Sequence, residues 1–169
     1  SFLVYLWKSM SDKKIMAVPP FSWRSLDSIF TTVSAWIKYK LAQENTTALA
    51  AFEAIAEVYQ EKNAEEEIEK LIKNGMSRSK ATNYVSDAIA SGTLILKRNV
   101  SELLQFLDEV SDFLKTVGYE GLIVCLDELQ ITVSELSPER TFLYLFEISN
   151  HTLNRQKGYG IMIGLPMNT

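Results

Sequence analysis

One cysteine and one histidine are all that this 169-residue chain offers to thiol and imidazole chemistry. A lone Cys125 excludes an intrachain disulfide, and mid-strand it behaves as a small buried hydrophobe. His151 lies in a predicted helix with no second histidine or cysteine to complete a metal set. Continuous apolar runs are also scarce. The one at residues 2–7 is too short to span a bilayer and lacks the layout of a signal peptide. Basic residues are outnumbered, 17 against 21 acids, for a net charge of −4. That balance weighs against a protein devoted to nucleic acid, although it leaves room for a local basic face. A reducing cytoplasm is the expected location, with no membrane partner.

What is present is an ordinary globular composition, 47% apolar and 22% charged, in a chain long enough to bury a real core. Residues 2–10 suggest a helix, with Leu3, Leu6 and Trp7 on one face. Residues 14–18 suggest a strand stopped by Pro19 and Pro20. Ser22 is a candidate cap for the next helix, in which Leu26, Phe30, Val33, Ile37 and Leu41 recur at helical spacing. Helical patterns continue to about residue 115. Asn63 and Glu66 suggest a fresh helix start there, Asn74 and Gly75 a stop, and Asn99 with Glu102 another capping pair. Ser137-Pro138-Glu139 is a strong helix start, followed by Phe142, Leu145, Phe146 and Leu153 as the inward stripe. Residues 159–165 form a last buried strand.

The segment with most to say about function is residues 117–130. Gly121 opens the apolar run Leu122, Ile123, Val124, Cys125, Leu126, which ends in Asp127 and Glu128. A short apolar run bounded by a turn signal suits a strand buried on both faces of a parallel sheet. Ligands of such sheets bind at the carboxyl ends of the strands, where the two acids would lie. Strand, helix, helical excursion, strand, helix, strand is an α/β order. The expected fold is therefore three parallel strands with flanking helices, formed by residues 1–42 and 116–169, with residues 43–115 inserted as a helical subdomain.

The apolar run closed by Asp127 and Glu128 resembles the Walker B strand of P-loop ATPases of the AAA+ and STAND kind. The end of the first strand, the amphipathic helix of residues 23–41 and Leu126-Asp127-Glu128-Leu129-Gln130 are loosely similar to the ATPases of BREX-type phage-defence systems. The resemblance implies a partial P-loop NTPase core working with ATP and Mg²⁺. By that resemblance Asp127 holds Mg²⁺ through water, and Glu128 orients and polarises the attacking water. Asn168, or next to it Thr169, would be the polar sensor near the γ-phosphate at the end of the following strand. The chain departs from the family in one respect. None of its seven glycines begins or completes Gly-x-x-x-x-Gly-Lys-Ser/Thr. The expectation is an internal piece of a larger ATPase, inactive and without bound nucleotide or metal when isolated. Such a piece would self-associate through an open strand edge or meet other protein subunits. The alternative is a DNA-binding or partner-docking module, because residues 63–98 loosely resemble a winged helix-turn-helix. Arg78 and Lys80 would start its reader helix, and Lys97 and Arg98 would lie on a wing made by residues 93–96.

Overall fold

The computed structural model describes residues 2–11, 13–154 and 159–164. It is a mixed α/β structure, mostly helical, with one small sheet. Helix α1 (Phe2–Ser11) leads through a turn into strand β1 (Ile15–Ser22). Helices α2 (Leu26–Glu44), α3 (Thr46–Lys73), α4 (Arg78–Ala90) and α5 (Val100–Thr116) then connect β1 to β2 (Gly121–Asp127). Helices α6 (Leu129–Leu136) and α7 (Pro138–Asn154) connect β2 to β3 (Tyr159–Ile163). The strands are parallel in the order β1-β2-β3, so β2 is central and paired on both edges. Among the described residues, no helix is long and apolar enough to cross a membrane.

Alternation along the strands explains how both sheet faces are covered. Leu122, Val124 and Leu126 join Met16 and Val18 in the main core, together with residues of α2, α3 and α5. Ala17 and Cys125, one position out of phase, are buried outside that cluster. Helix α1 packs on β1 and β2, and the Trp7 indole donates to the Ala17 carbonyl at 2.9 Å. A period of two carries successive side chains to opposite faces, so Asp127 shares the Cys125 face.

The structure departs from several sequence expectations. Strand β1 runs through Pro19 and Pro20 to Ser22, with its register shifting between Val18 and Phe21. Proline lacks a ladder donor but is tolerated on an edge strand at a bulge, and β1 is an edge. The helix cap is Ser25, not Ser22. The Ser25 hydroxyl accepts from the Ser28 N–H at 3.1 Å, and the Ser28 hydroxyl accepts from the Ser25 N–H at 3.2 Å. Asn63 starts no new helix. Helix α3 continues through it for 28 residues, about 42 Å at 1.5 Å per residue. The Asn63 amide donates to the Tyr59 carbonyl one turn back and to Glu102 of α5, so its side chain is satisfied without breaking the helix. Phe142 and Phe146 point outward, 66% and 54% exposed, and stack on each other with ring centres 6.2 Å apart. Leu145 faces the core as expected, joined by Ile148, and the Leu153 side chain lies outside the described ones.

The first half of α3 belongs to the main core through Ala48, Phe52, Ala56 and Tyr59. Its second half leaves that core and carries α4 on a satellite cluster of Ile68, Ala81 and Val85. Arg98 fastens α3 and the start of α5 to α2. Its guanidinium is almost fully buried, stacked over Phe30 with the central carbon 3.6 Å from the ring centre. It donates to Asp27 at 2.5 Å, the Tyr59 carbonyl at 3.2 Å and Gln60 at 2.7 Å. Burial pulls its pKa below the ordinary value, and the Asp27 carboxylate opposes that pull. Removing one member of a buried pair strands the other charge, at a cost of about 3–5 kcal/mol. Arg98→Ala is therefore expected to lower unfolding free energy by about that amount in urea titration. Arg98→Met with Asp27→Leu is expected to recover most of the loss. A loss below about 1 kcal/mol in Arg98→Ala would mean that the pair is solvated.

Candidate functional site

The carboxyl end of the sheet gathers residues that lie far apart in sequence. The strand register sets Ser22, the last residue of β1, opposite Asp127, the last residue of β2. Asp127 is half-buried. Its Oδ1 accepts the N–H of Glu128 at 2.8 Å. Glu128 is exposed and adopts the left-handed conformation, φ 53° and ψ 48°. A side chain other than glycine seldom occupies that region, and it costs on the order of 1–2 kcal/mol. The turn is held from beyond. The Glu128 carbonyl accepts from the Ile131 N–H at 2.9 Å at the start of α6, and the Thr132 hydroxyl of α6, fully buried, donates to the Trp23 carbonyl at 2.6 Å.

The first turn of α1 completes the cluster. Gly164, just past β3, donates its N–H to the Leu126 carbonyl at 2.7 Å. A methyl group on Gly164 would lie 2.6 Å from Asp127 Oδ1 and 2.6 Å from Leu3 Cδ1. The Asp127 carboxyl, the end of β3 and the first turn of α1 therefore converge on one point. A side chain there would force the Asp127 carboxyl and the Leu3 side chain to shift, whereas the backbone conformation itself does not demand glycine.

Asn168 and Thr169, the expected sensor residues, lie outside the described residues. The residues expected to read DNA lie elsewhere. Arg78 is ion-paired with Glu65 at 2.7 Å and also with Glu69. Residues 93–96 form no strand, and Arg98 is buried on Phe30. Lys80 and Lys97 are exposed. His151 meets Asp108 of α5, with its Nε2 3.2 Å from either carboxylate oxygen, a contact between two helices far from the acidic pair in sequence. A cleft of about 520 Å³ opens at the other end of the sheet, between Trp7, Trp36 and Tyr119. Its acid is already engaged, since Glu44 pairs with Lys40 and accepts from the Tyr119 hydroxyl. Among the described residues, no group of three or more His, Cys, Asp or Glu side chains could hold a metal ion.

Sequence reasoning missed Ser22, Leu3 and Gly164 as members of this cluster. Ser22 was obscured by its resemblance to a helix cap. Gly164 carried one signal, a glycine at the end of an apolar strand, which marks close approach of another group. Compared with protein-family models, curated proteins and solved structures, the chain matches none.

Cys125 reports on the same face. Burial, and then the charge of Asp127, push its thiol up to about 11. At pH 8 its thiolate fraction is lower than that of a free cysteine by about two orders of magnitude. Labelling by a disulfide reagent in the native state is expected to slow at least in that proportion. Because a neighbouring carboxylate disfavours the thiolate, Asp127→Asn should shift the labelling profile to lower pH. A profile that ignores the substitution would show that Asp127 does not face Cys125.

Proposed function

We propose that the chain forms part of the core of a P-loop ATPase of the AAA+ or STAND type and carries its Walker B strand. The observation that bears most weight is the convergence at the carboxyl end of the central strand. Asp127 ends β2, Glu128 stands exposed beyond it, and the first turn of α1 lies alongside through Leu3 and Gly164. A helix N-terminus offers unpaired N–H groups and a positive dipole end to an anion. A carboxylate beside a side chain of that first turn suits the cation that accompanies a polyphosphate. Ligands of open parallel sheets bind at this end.

In this reading Mg²⁺, when bound with ATP, neutralises charge on the phosphate oxygens. Asp127 would hold water of the ion's hydration shell through its carboxylate. The Glu128 carboxylate accepts a proton from the water that attacks the γ-phosphorus, while the bond to the β-phosphate oxygen breaks and ADP leaves. The left-handed backbone at Glu128 turns the chain immediately after Asp127 and leaves the second carboxylate clear of the sheet. The phosphate-cradling glycines and lysine are not among these residues, so turnover belongs to a longer protein that supplies them.

In that longer protein, Glu128→Gln should cut turnover by about a hundredfold or more while ATP still binds, because the amide keeps shape but cannot take the proton. Asp127→Ala should weaken Mg²⁺-dependent ATP binding as well. Unchanged turnover in both variants would end the Walker B assignment.

The far edge of β3 supports the same reading. Among the described residues β3 pairs with β2 alone, and Gly160, Ile161, Met162 and Ile163 carry no charge to discourage another strand. We propose that a further strand of the ATPase core covers this edge, and that the 169-residue chain by itself covers it by self-association. Sedimentation at micromolar concentration is expected to find dimers or larger species. A strictly monomeric chain would count against the free edge.

A further inference from the structure

We infer that Gly164 is a positioning residue for the Asp127 carboxylate, and that the absence of a side chain there sets where the cation-side oxygen of the site stands. The inference goes beyond the Walker B reading in its geometry and rests on that reading only for its consequence in turnover.

Two constraints act on the Asp127 carboxyl from different sides. The Glu128 N–H holds Oδ1 at 2.8 Å. From the opposite strand, Gly164 lies so close that an added Cβ would reach Oδ1 at 2.6 Å and the carboxyl carbon at 3.4 Å. Real Cβ atoms do not approach an oxygen to 2.6 Å, so a side chain at 164 must rotate the carboxyl or push the strands apart. The strand end has little freedom to yield, because the Gly164 N–H is bonded to the Leu126 carbonyl at 2.7 Å. The same added atom would also meet Leu3 Cδ1 at 2.6 Å, a methyl carbon buried under α1. The backbone of Gly164 does not require glycine, in contrast to Gly75, Gly92 and Gly118 with their positive φ. What glycine supplies at 164 is room. Partners that orient a metal-side carboxylate are typically worth 10–100-fold in metal affinity or activity.

Gly164→Ala separates this role from simple packing. In the 169-residue chain, the Glu128 N–H should be protected from solvent exchange by its bond to the Asp127 carboxylate, and Asp127→Ala should abolish that protection. Gly164→Ala is expected to reduce it to less than about a third, as the carboxyl turns away and the bond weakens steeply with angle. Adding Leu3→Ala removes the second clash. It is expected to recover thermal stability but not the amide protection, and the double variant serves alone should Gly164→Ala fail to fold. Unchanged amide protection in Gly164→Ala, or its full recovery in the double variant, would overturn the inference. In the longer ATP-hydrolysing protein, the Mg²⁺ concentration for half-maximal turnover should rise about tenfold in Gly164→Ala. An unchanged Mg²⁺ requirement there would also overturn it. If Glu128→Gln and Asp127→Ala both leave turnover intact, the ATPase reading fails, while the amide protection in this chain still decides the role of Gly164.

Discussion

A strand paired on both edges and covered on both faces can carry a charge only at its end. That constraint on β2 organises the sheet and everything attached to it. Leu122, Val124 and Leu126 are nearly or fully buried toward the helical layer, and Cys125 is fully buried on the other face. A carboxylate at any of these positions would cost several kcal/mol unless paired. Asp127 escapes because the ladder stops there, and the left-handed turn at Glu128 takes the chain out of the sheet. Burial and chemistry therefore divide along one strand, with the apolar run ensuring that the acids stand at the rim where strands β1 and β3 also end.

The helical layer makes that burial possible, and it is held by a polar contact inside an apolar setting. Phe106 packs against Phe30 and Tyr59, with ring centres 4.7 and 5.2 Å away, and Arg98 lies over Phe30. Arg98 satisfies a carboxylate, a side-chain amide oxygen and a helix carbonyl at once. Its planar guanidinium donates to these acceptors in its plane while its face stacks on Phe30, a combination that the point-like ammonium of lysine lacks. The contact joins α2, α3 and the entry to α5 near the end of β1. The outer half of α3 and α4 depend on it only indirectly, since Ile68, Ala81 and Val85 form their own small cluster.

Periodicity made the α/β order, the amphipathic helices and the buried run before Asp127 legible. The boundaries misjudged from sequence share a cause, which is that a local signal met a stronger partner elsewhere. Asn63 has the chemistry of a cap, yet Glu102 and the Tyr59 carbonyl satisfy its amide within a continuous helix. Ser22 resembles a cap, yet the ladder to Asp127 keeps it in the strand. Phe142 and Phe146 follow a helical stripe, but the face of α7 that meets the core is the one bearing Leu145 and Ile148. Arg98, taken from sequence as a surface cation, is the most buried charge of the helical layer for which an ion pair is formed.

By itself the sequence determined which segments alternate between strand and helix, and that two acids follow directly on a strand too apolar to be anywhere but inside. Those properties are local, set by side-chain period and by the cost of burying charge. Only the tertiary structure decided that β2 is central, that Ser22 stands opposite Asp127, and that Leu3 and Gly164 close on the same carboxyl from either end of the chain. Those that bring Ser22 and Leu3 to the end of β2 join residues more than a hundred positions apart. No local pattern encodes them, because they follow from how parallel crossovers stack one strand beside the next.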